Sequence, residues 1–284
     1  MEQKKKVHKY SIWLLVIPFI LGLCLMLYPT VSNYWNSFHS SMAIDNYADK
    51  VAVMNHSDYE QLFKAAYDYN QSLALQSKGY YLTDTQKADY EVKLNINNDG
   101  IMGVIEIPGI HVELPIYHGS SEQVLQVAAG HLDWTSLPVG GESSHCVLSG
   151  HSGLPSAKLF TDLDKLALGD IFMLHVLNKT LTYEVDQILI VNPQDTSALQ
   201  IVEGEDYCTL VTCTPYGINT HRLLVRGHRI EGESEEQTFF KTADETQVKL
   251  YVVAVISVIV ILGFAAIVLG VRKKRHRRIH SWKK

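Results

Sequence analysis

The sequence predicts a mainly β domain, closed or nearly closed into a barrel, that lies between two membrane-spanning helices. From position 101 onward, short runs of β-branched and aromatic residues recur, separated by Gly, Pro and Asn. Few helical patterns interrupt these runs. An uncharged apolar run also lies near each end of the chain, over 12–28 and 250–271. Such runs are typical of membrane spans.

The charge of the chain is divided into three blocks. Formal net charge is −5, but residues 1–9 carry +3 and residues 271–284 carry +8. Subtracting the +11 of the two ends from the total leaves −16 for the middle of the chain. An acidic middle argues against nucleic-acid binding, which needs a basic face. The basic ends are typical of segments on the cytoplasmic side of a membrane.

The N-terminal segment is predicted to anchor the chain. Residues 1–9 form a basic cytoplasmic segment, and the uncharged run from Ile12 to Tyr28 is near the lower limit for a spanning helix. Pro18 favours a kink within it. A cleaved signal peptide is the competing interpretation, but no small-residue cleavage site follows the run. We therefore assign residues 10–30 to an uncleaved transmembrane anchor.

Residues 31–95 are predicted to be an extracellular helical segment followed by a lid-like loop. Apolar residues recur there at helical spacing, and they include Tyr59, Leu62, Phe63, Ala66 and Tyr67. We expect two helices separated near residues 55–58, with Ser57 or Asp58 as the cap of the second. Residues 78–95 are expected to form a loop.

Residues 96–232 are predicted to form the barrel. The β-type runs are 102–107, 112–116, 145–148, 171–176, 181–191, 207–212 and 223–230. Two short helical pieces are expected between them, over 121–129 and 156–166.

The C-terminal part is predicted to contain a linker over 233–248, a transmembrane helix over 249–271 and a basic cytoplasmic tail over 272–284. An apolar C-terminus with a basic tail is also the form of a cell-wall sorting signal. No LPxTG-like pentapeptide precedes it, so we interpret the run as an anchor. Two spans with both basic flanks inside place the intervening domain outside the cell.

One stretch, 209–229, combines two β-type runs with reactive side chains. The first run ends on Cys213, Pro215 and Gly217 then favour a turn, and the second run begins directly after Arg222. If the two strands pair, the thiol and the guanidinium come into contact. A fixed cation favours the thiolate and can stabilise an oxyanion. From spacing alone, a buried structural cysteine and a surface arginine remain the alternative.

The chain has thirteen histidines, and most are expected to be surface or packing residues. His151 is distinctive because Gly150 and Gly153 flank it directly after an apolar run. We expect these glycines to leave room for a substrate backbone. His131 is the runner-up and is interpreted as structural. His221 should point to the face opposite Arg222.

The four cysteines, at 24, 146, 208 and 213, suggest no disulfide framework. Cys146 and Cys208 each lie five positions before a candidate catalytic residue. If their runs are neighbouring strands, we expect the two thiols to be close but not to form a disulfide, since cysteines commonly pack as small apolar groups.

The motifs themselves resemble a known family. TLVTC, TPYG and NTHRLLVRG are similar to the active-site signature of sortases, the cysteine transpeptidases of Gram-positive cell surfaces. These motifs are most similar to those of class C sortases, the pilus-assembling branch. IEIPGI, LPIYHGSSE, GHLDWTSLPVGGESSH, SGHSGLPSAKLF and DLDKLALGD extend the resemblance over about residues 101–230. It implies a sortase-like eight-stranded barrel, with Cys213 as nucleophile, His151 as general acid/base and Arg222 as oxyanion stabiliser.

By the same resemblance, the substrate is a pilin that carries an LPxTG-like sorting signal, cleaved between Thr and Gly. The acyl group passes through a thioester to a lysine of the next pilin. A sortase of another class, which attaches proteins to peptidoglycan, is the second possibility. An inactive membrane-held assembly platform is the third, and the joint presence of the three residues argues against it.

One departure from class C concerns the lid. Members commonly carry an Asp-Pro-aromatic motif ahead of the barrel, and residues 78–95 contain no Asp-Pro. We expect a lid that is absent or unconventional. The spacing of His131, Asp133, His145 and His151 fits no zinc pattern, so neither a metal nor another cofactor is expected.

Overall fold

The structure is a computed structural model that describes residues 7–75 and 82–230, together with Ser257, Val258, Ile261 and Gly263. The chain divides into two units, Met1–Phe239 and Phe240–Lys284. The four described residues of the second unit are helical. The predicted linker over 233–248 and the basic tail over 272–284 lie outside the described residues. So does the second span over 249–271, apart from these four residues.

Helix α1, Val7–Ala52, is continuous over 46 residues. It includes both the predicted anchor and the first predicted extracellular helix, and Pro18 and Pro29 lie inside it. Within the described part of the chain, one helical stretch, Ile17–Ala52, is long and apolar enough to cross a membrane. The predicted end of the anchor at residue 30 therefore does not coincide with the end of a helix.

Helix α2, His56–Ala74, has a different cap from the one expected. The Asn55 side chain accepts a hydrogen bond from the Asp58 N–H at 3.0 Å, and the Asp58 carboxylate accepts one from the Asn55 N–H at 3.3 Å. This reciprocal capping box satisfies two backbone donors at the start of the helix. Asn55 is thus the cap, which corrects the assignment to Ser57 or Asp58.

Helix α3, Asp84–Val92, corrects the expectation of a loop for that part of 78–95, and residues 78–81 lie outside the described residues. Thr83 and Gln86 form a second capping box at its start. The Thr83 hydroxyl accepts a bond from the Gln86 N–H at 3.3 Å, and the Gln86 side chain accepts one from the Thr83 N–H at 2.9 Å. Its buried Tyr90 anchors the helix to the barrel. The prediction failed because this polar helix buries so little of its surface that its apolar pattern is weak.

Eight strands form a closed barrel, as predicted. They are β1 (Ile101–Ile107), β2 (Val112–His118), β3 (Ala129–His131), β4 (Ser144–Ser149), β5 (Ile171–Val176), β6 (Lys179–Val191), β7 (Asp206–Thr214) and β8 (His221–Ile230). Their order around the barrel is β1-β2-β3-β4-β7-β8-β6-β5. The pairs β2–β3 and β4–β7 are parallel, and the other pairs are antiparallel.

The two helical pieces expected within the barrel are shorter than predicted. The first is the four-residue helix α4, Glu122–Leu125, and strand β3 occupies the end of the range assigned to it. Three residues are too few for an alternating pattern to be visible. The range 156–166 contains a single 3₁₀ turn, Leu163–Lys165, because part of its backbone bonds to α1 instead. Two further 3₁₀ turns are Pro108–Ile110 and Ser197–Leu199.

Buried polar contacts fix the N-terminal helices to the barrel. The hydroxyl of the buried Tyr47 in α1 donates to the Met102 carbonyl at 3.0 Å and accepts from the Leu177 N–H at 2.9 Å. In α2, the side chain of Asn70 both donates to the Leu137 carbonyl, at 3.2 Å, and accepts from the Leu137 N–H, at 2.7 Å. Since buried bonds of this kind are costly to break, the helices and the barrel form one packed structure.

Candidate active site

Strands β7 and β8 form the hairpin predicted around the cysteine. In their antiparallel register Cys213 is opposite Arg222, and Thr214 is opposite His221. Side chains that face each other across a pair project to the same side of the sheet, and successive pairs alternate. The thiol and the guanidinium therefore share one face, and His221 lies on the other, as expected.

His151 reaches the same place from a third strand. Strand β4 runs parallel to β7, with Ser149 beside Val211. The pairing continues beyond the end of β4, because the Gly150 N–H donates to the Val211 carbonyl at 3.0 Å. The Thr212 hydroxyl also donates to the Gly150 carbonyl, at 2.7 Å. By the same offset His151, two residues after Ser149, lies level with Cys213, so the three predicted site residues lie at one end of the barrel.

The glycines around His151 allow two aromatic rings to pack closely against the loop. A Cβ added at Gly150 would lie 2.6 Å from the ring of Phe160, which is fully buried. Gly153 has a positive φ of 80°, and a Cβ there would lie 3.1 Å from the ring of Tyr216. Tyr216 belongs to the β7–β8 turn. Phe160 thus packs the loop that carries His151 against the barrel, and Tyr216 packs it against the β7–β8 hairpin.

Helix α1 holds the continuation of the histidine loop. The Asn36 side-chain amide donates to the Ser156 carbonyl at 3.0 Å, and the Lys158 N–H donates to the Asn33 side chain at 2.8 Å. The Lys158 ammonium binds the Ile110 carbonyl at 2.6 Å. The loop that carries His151 is therefore fixed to α1 at two points and to the barrel at a third.

Arg222 is braced by the backbone of its own turn. Its Nη1 donates to the His221 carbonyl at 3.1 Å and to the Asn219 carbonyl at 3.4 Å. Asn219 adopts a left-handed backbone with φ of 61°, a conformation that asparagine tolerates better than most residues. The turn sequence thus helps to position the guanidinium at the end of the hairpin.

An acidic residue that the sequence analysis did not select lies next to His151. Glu122 Oε1 is 3.5 Å from His151 Nε2. That nitrogen is buried, and among the described residues it has no hydrogen-bond partner. The contact has the distance of an ion pair without the geometry of a hydrogen bond. The sequence around Glu122 carries no signal for this contact, because strand order, rather than sequence proximity, brings the two residues together.

His131 lies in the core, in keeping with its interpretation as a structural residue. Its Nε2 is 2.8 Å from the Ser136 carbonyl, which can only accept, so Nε2 carries the proton. Its Nδ1 then accepts from the Tyr90 hydroxyl at 3.0 Å. That hydroxyl also accepts from the Gly119 N–H at 2.9 Å. Burial raises the pKa of Tyr90, which keeps the hydroxyl protonated as this network requires.

Cys146 and Cys208 are direct neighbours across β4 and β7, which confirms the expected proximity. Both are buried and both thiols are free. Burial raises the pKa of Cys208 well above its usual range, so this thiol packs as a neutral group. Neither cysteine belongs to the group formed by Cys213, His151 and Arg222.

The described residues contain no group of three or more His, Cys, Asp or Glu side chains that could hold a metal ion. His145, one of the residues considered for such a site, is engaged in structural bonds. Its Nδ1 is 2.9 Å from the Gln200 carbonyl and its Nε2 is 2.7 Å from the Thr209 hydroxyl.

A closed eight-stranded barrel that brings a cysteine, a histidine and an arginine together at one end defines a class, the cysteine acyltransferases of β-barrel architecture. The family model described as "Sortase domain" matches residues 105–230. The chain belongs to the sortase family and is a cysteine transpeptidase. The alternative of an inactive platform is therefore set aside.

Its structural relatives specify the branch. Sortase C1 from Streptococcus agalactiae is 52% identical, covers 68% of this chain and 100% of its own, and has a TM-score of 0.66. Sortase C from Clostridium perfringens, solved with the C-terminal cell wall sorting motif, is 45% identical, covers 68% and 100%, and has a TM-score of 0.60. Sortase A from Streptococcus agalactiae serotype III (strain NEM316) is 27% identical over 88% of this chain and 96% of its own. The structural neighbours place the chain among class C sortases.

Proposed function

We propose that this chain is a membrane-anchored class C sortase that polymerises pilins by cleaving an LPxTG-like sorting signal between Thr and Gly. The observation that carries the proposal is the strand register, which pairs Cys213 with Arg222 and sets His151 level with Cys213. Acyl transfer through a thioester needs a nucleophile, an acid/base group and a fixed cation. Here all three lie at the ends of adjacent strands.

In the first half-reaction, the Cys213 thiolate attacks the threonine carbonyl carbon. Arg222 stabilises the negative charge that develops on the carbonyl oxygen. The C–N bond to glycine then breaks, and the His151 imidazolium gives its proton to the leaving amine. The products are a Cys213 thioester, a free glycine amine and a neutral His151.

In the second half-reaction, a neutral lysine amine attacks the thioester carbon. The C–S bond breaks and returns the thiolate, and the excess proton on the new amide nitrogen passes to His151. Thiolate and imidazolium are thereby restored, and the product is an isopeptide bond between two subunits. A lysine acceptor, rather than water, distinguishes this reaction from that of a cysteine protease.

The relatives support the pilin acceptor. The structure of Streptococcus pneumoniae sortase C is described as giving insight into catalysis and pilin substrate specificity; it is 44% identical to this chain, with a TM-score of 0.59. The Clostridium perfringens relative was solved with a cell wall sorting motif. We extend both properties to this chain, with the pilin lysine as the acyl acceptor.

A sortase of another class is the second candidate, favoured by the match to a relative named Sortase A over 88% of this chain. Such an enzyme would share the first half-reaction and would use an amine of peptidoglycan as acceptor. The higher identity to sortase C1, 52% against 27%, supports the pilin polymerase. The acceptor amine is the property that separates the two candidates.

Anchoring is proposed from α1 and from the sequence of the C-terminus. The apolar stretch Ile17–Ala52 supports a first span, and the run over 249–271 supports a second. Since basic residues flank both runs, we infer a two-pass topology with both termini in the cytoplasm and the barrel outside.

The test uses the full chain in detergent micelles, mixed with a pilin that carries its sorting signal and acceptor lysine. Denaturing gels should show covalent ladders, and intact mass spectrometry should show an acyl adduct on Cys213. Cys213→Ala should abolish the adduct and reduce the ladders by at least about 10³-fold, because it removes the thiol that forms the thioester. Cys24→Ala, which removes an exposed thiol elsewhere, is the matched control and should leave both unchanged.

The outcomes separate the candidates. An adduct without ladders, followed by transfer to a peptidoglycan amine, would replace the pilin polymerase with a sortase of another class. Ladders that persist in Cys213→Ala would overturn the proposed nucleophile. If the wild type produces no ladder and no adduct, the proposed substrate class is wrong.

A further inference from the structure

We propose that Glu122 is a positioning residue whose carboxylate holds His151 through Nε2, so that Nδ1 is the nitrogen that exchanges protons with the substrate amines. The proposal rests on the role of His151 proposed above. It adds a fourth functional residue, supplied by helix α4, to the three on β7, on β8 and in the loop after β4.

The first argument is the state of the histidine nitrogen. His151 Nε2 is buried, and no other described residue forms a hydrogen bond with it. A buried polar atom without a partner is uncommon and requires an explanation. The Glu122 carboxylate is 3.5 Å away, so a small rotation of either side chain would complete the bond. Such catalytic bonds are often long in the absence of substrate and shorten when it binds.

The second argument is that the carboxylate is aimed at the histidine by its own surroundings. Glu122 is the first residue of α4, and the Ser121 side chain caps the helix by accepting from the Val124 N–H at 3.5 Å. One turn later, Gln126 donates to Glu122 Oε1 at 3.2 Å, the same oxygen that faces His151. Two neighbours thus fix the helix start and the carboxylate.

The third argument is that the segment leading into α4 packs directly against strand β3. A Cβ added at Gly130 in β3 would lie 2.5 Å from the Gly119 carbonyl oxygen and 3.1 Å from the Leu125 side chain. Only glycine allows the segment that leads into α4 to lie directly on the strand. Gly130 is in turn paired with Ser149, two residues before His151.

Glu122 Oε1 lies within ion-pair distance of His151. Two other charged or titratable side chains are engaged elsewhere: Lys158 binds the Ile110 carbonyl and Asp162, and His131 binds Tyr90 and Ser136. Glu122 is therefore the carboxylate that we assign to His151.

The position of the carboxylate also selects a tautomer. In neutral imidazole one nitrogen carries the proton and the other accepts. A carboxylate at Nε2 keeps the proton there and leaves the lone pair on Nδ1, where the incoming amine must deliver its proton. The Nε2–H bond persists in both half-reactions, while Nδ1 is protonated in the first and free in the second.

The kinetic test compares Glu122→Gln with wild type in the full chain. We expect kcat/KM at pH 8 to fall about tenfold, for both hydrolysis and aminolysis of a sorting-signal peptide, with little change in KM. Glu203→Gln is the matched control and should behave as wild type. Glu203 is exposed and lies just before Asp206, the first residue of β7.

A second measurement does not depend on activity. The nitrogen chemical shifts of the neutral His151 ring, identified by their loss in His151→Ala, should show the proton on Nε2 in wild type and a mixture of the two tautomers in Glu122→Gln. The same tautomer in both proteins would overturn the proposal, as would a changed tautomer with unchanged kcat/KM. A loss restricted to aminolysis would also overturn it, because it would assign Glu122 to the incoming amine.

The background variant His151→Ala separates this inference from the proposed function. If His151→Ala retains wild-type activity, the proposed acid/base role fails. If His151→Ala is inactive and Glu122→Gln equals wild type, only the positioning role fails. In the His151→Ala background, Glu122→Gln should have no further effect, since its action passes through the imidazole.

Discussion

The two ends of strand β7 differ in how fully their polar groups are satisfied. At its first residue, Asp206 accepts hydrogen bonds from the Gly141 N–H at 2.8 Å, the Tyr183 hydroxyl at 3.0 Å and the Ser144 hydroxyl at 3.5 Å. At its other end, Cys213 pairs with Arg222, and the neighbouring His151 has a buried nitrogen without a hydrogen bond among the described residues.

The strand ladder is continuous between the two ends, so the difference lies in the side chains. A buried polar group that only supports the fold contributes most to stability when every hydrogen-bond partner is present. A group that must exchange protons and bonds with a substrate has to keep that capacity free. The comparison teaches that Asp206 is a satisfied structural carboxylate, whereas His151 keeps a nitrogen available for its proposed role, and the following predictions test this contrast in order of decreasing effect.

The largest effect is expected at Arg222, which we compare with a second arginine on β8, Arg226. Arg222→Ala should lower kcat by about 10² to 10³-fold, because an oxyanion loses its stabilising donor. The free energy of unfolding should change little, since Arg222 bonds only to nearby carbonyls. Steady-state kinetics with a sorting-signal peptide, together with chemical denaturation, would measure both quantities.

Arg226 provides the matched comparison. It forms a two-point ion pair with Asp186, at 3.0 and 2.8 Å, and lies 4.1 Å above the ring centre of Tyr207. Arg226→Ala should lower stability and leave the kcat of the folded enzyme unchanged. Equal losses of kcat in both variants would break the proposed division between a reacting end and a supporting end.

The next effect is acid sensitivity at the supporting end. Burial lowers the pKa of His145 from 6.5 to about 4, so the unfolded chain takes up this proton first as the pH falls. The stability is fully present above about pH 6.5, and up to about 3 kcal/mol is lost as the pH falls to 4. Urea unfolding at pH 7.5 and 4.5 should show the loss, and His145→Gln should reduce it.

His56→Gln is the control for that measurement. His56 is exposed, with 82% of its side chain accessible, and its replacement should leave the pH dependence unchanged. An identical pH dependence in His145→Gln and wild type would show that other groups cause the acid sensitivity.

The smallest effect is expected at Asp206. Asp206→Ala should lower the free energy of unfolding by about 2 kcal/mol, because three donors lose their buried acceptor. Asp206→Asn keeps an acceptor oxygen in place and should cost less. Thermal denaturation gives the order, and the activity of the folded fraction should be unchanged in both. A loss of kcat in Asp206→Asn would show that this end also contributes to catalysis.

Much of the barrel could be predicted from the sequence because its strands are half-buried and alternate. Strand β3 was missed since three residues, Ala129–His131, show no period. Helix α3 was missed because it buries one residue, Tyr90, and its strongest signal was the Thr83–Gln86 capping box. Local patterns reveal elements that bury a whole face, and they miss elements fixed by one contact.

The same limit applies to the candidate site. Cys213, His151 and Arg222 could be selected because they lie in recognisable motifs next to predicted strands. Glu122 could not, since its proximity to His151 depends on the parallel placement of β3 beside β2 and on the close approach at Gly130. Contacts that arise from strand order rather than from sequence neighbours become visible only in the folded chain.

The continuous helix α1 sets the distance between the proposed membrane span and the loop that carries His151. With the membrane span placed at 10–30, Asn33 lies three residues and Asn36 six residues further along, which is about 5 and 9 Å at 1.5 Å per residue. Both side chains bind the loop that carries His151. If α1 spans the bilayer as proposed, its continuous course places the loop that carries His151 within about two helical turns of the end of that span. The proposed sorting signal would then be cut close to the bilayer.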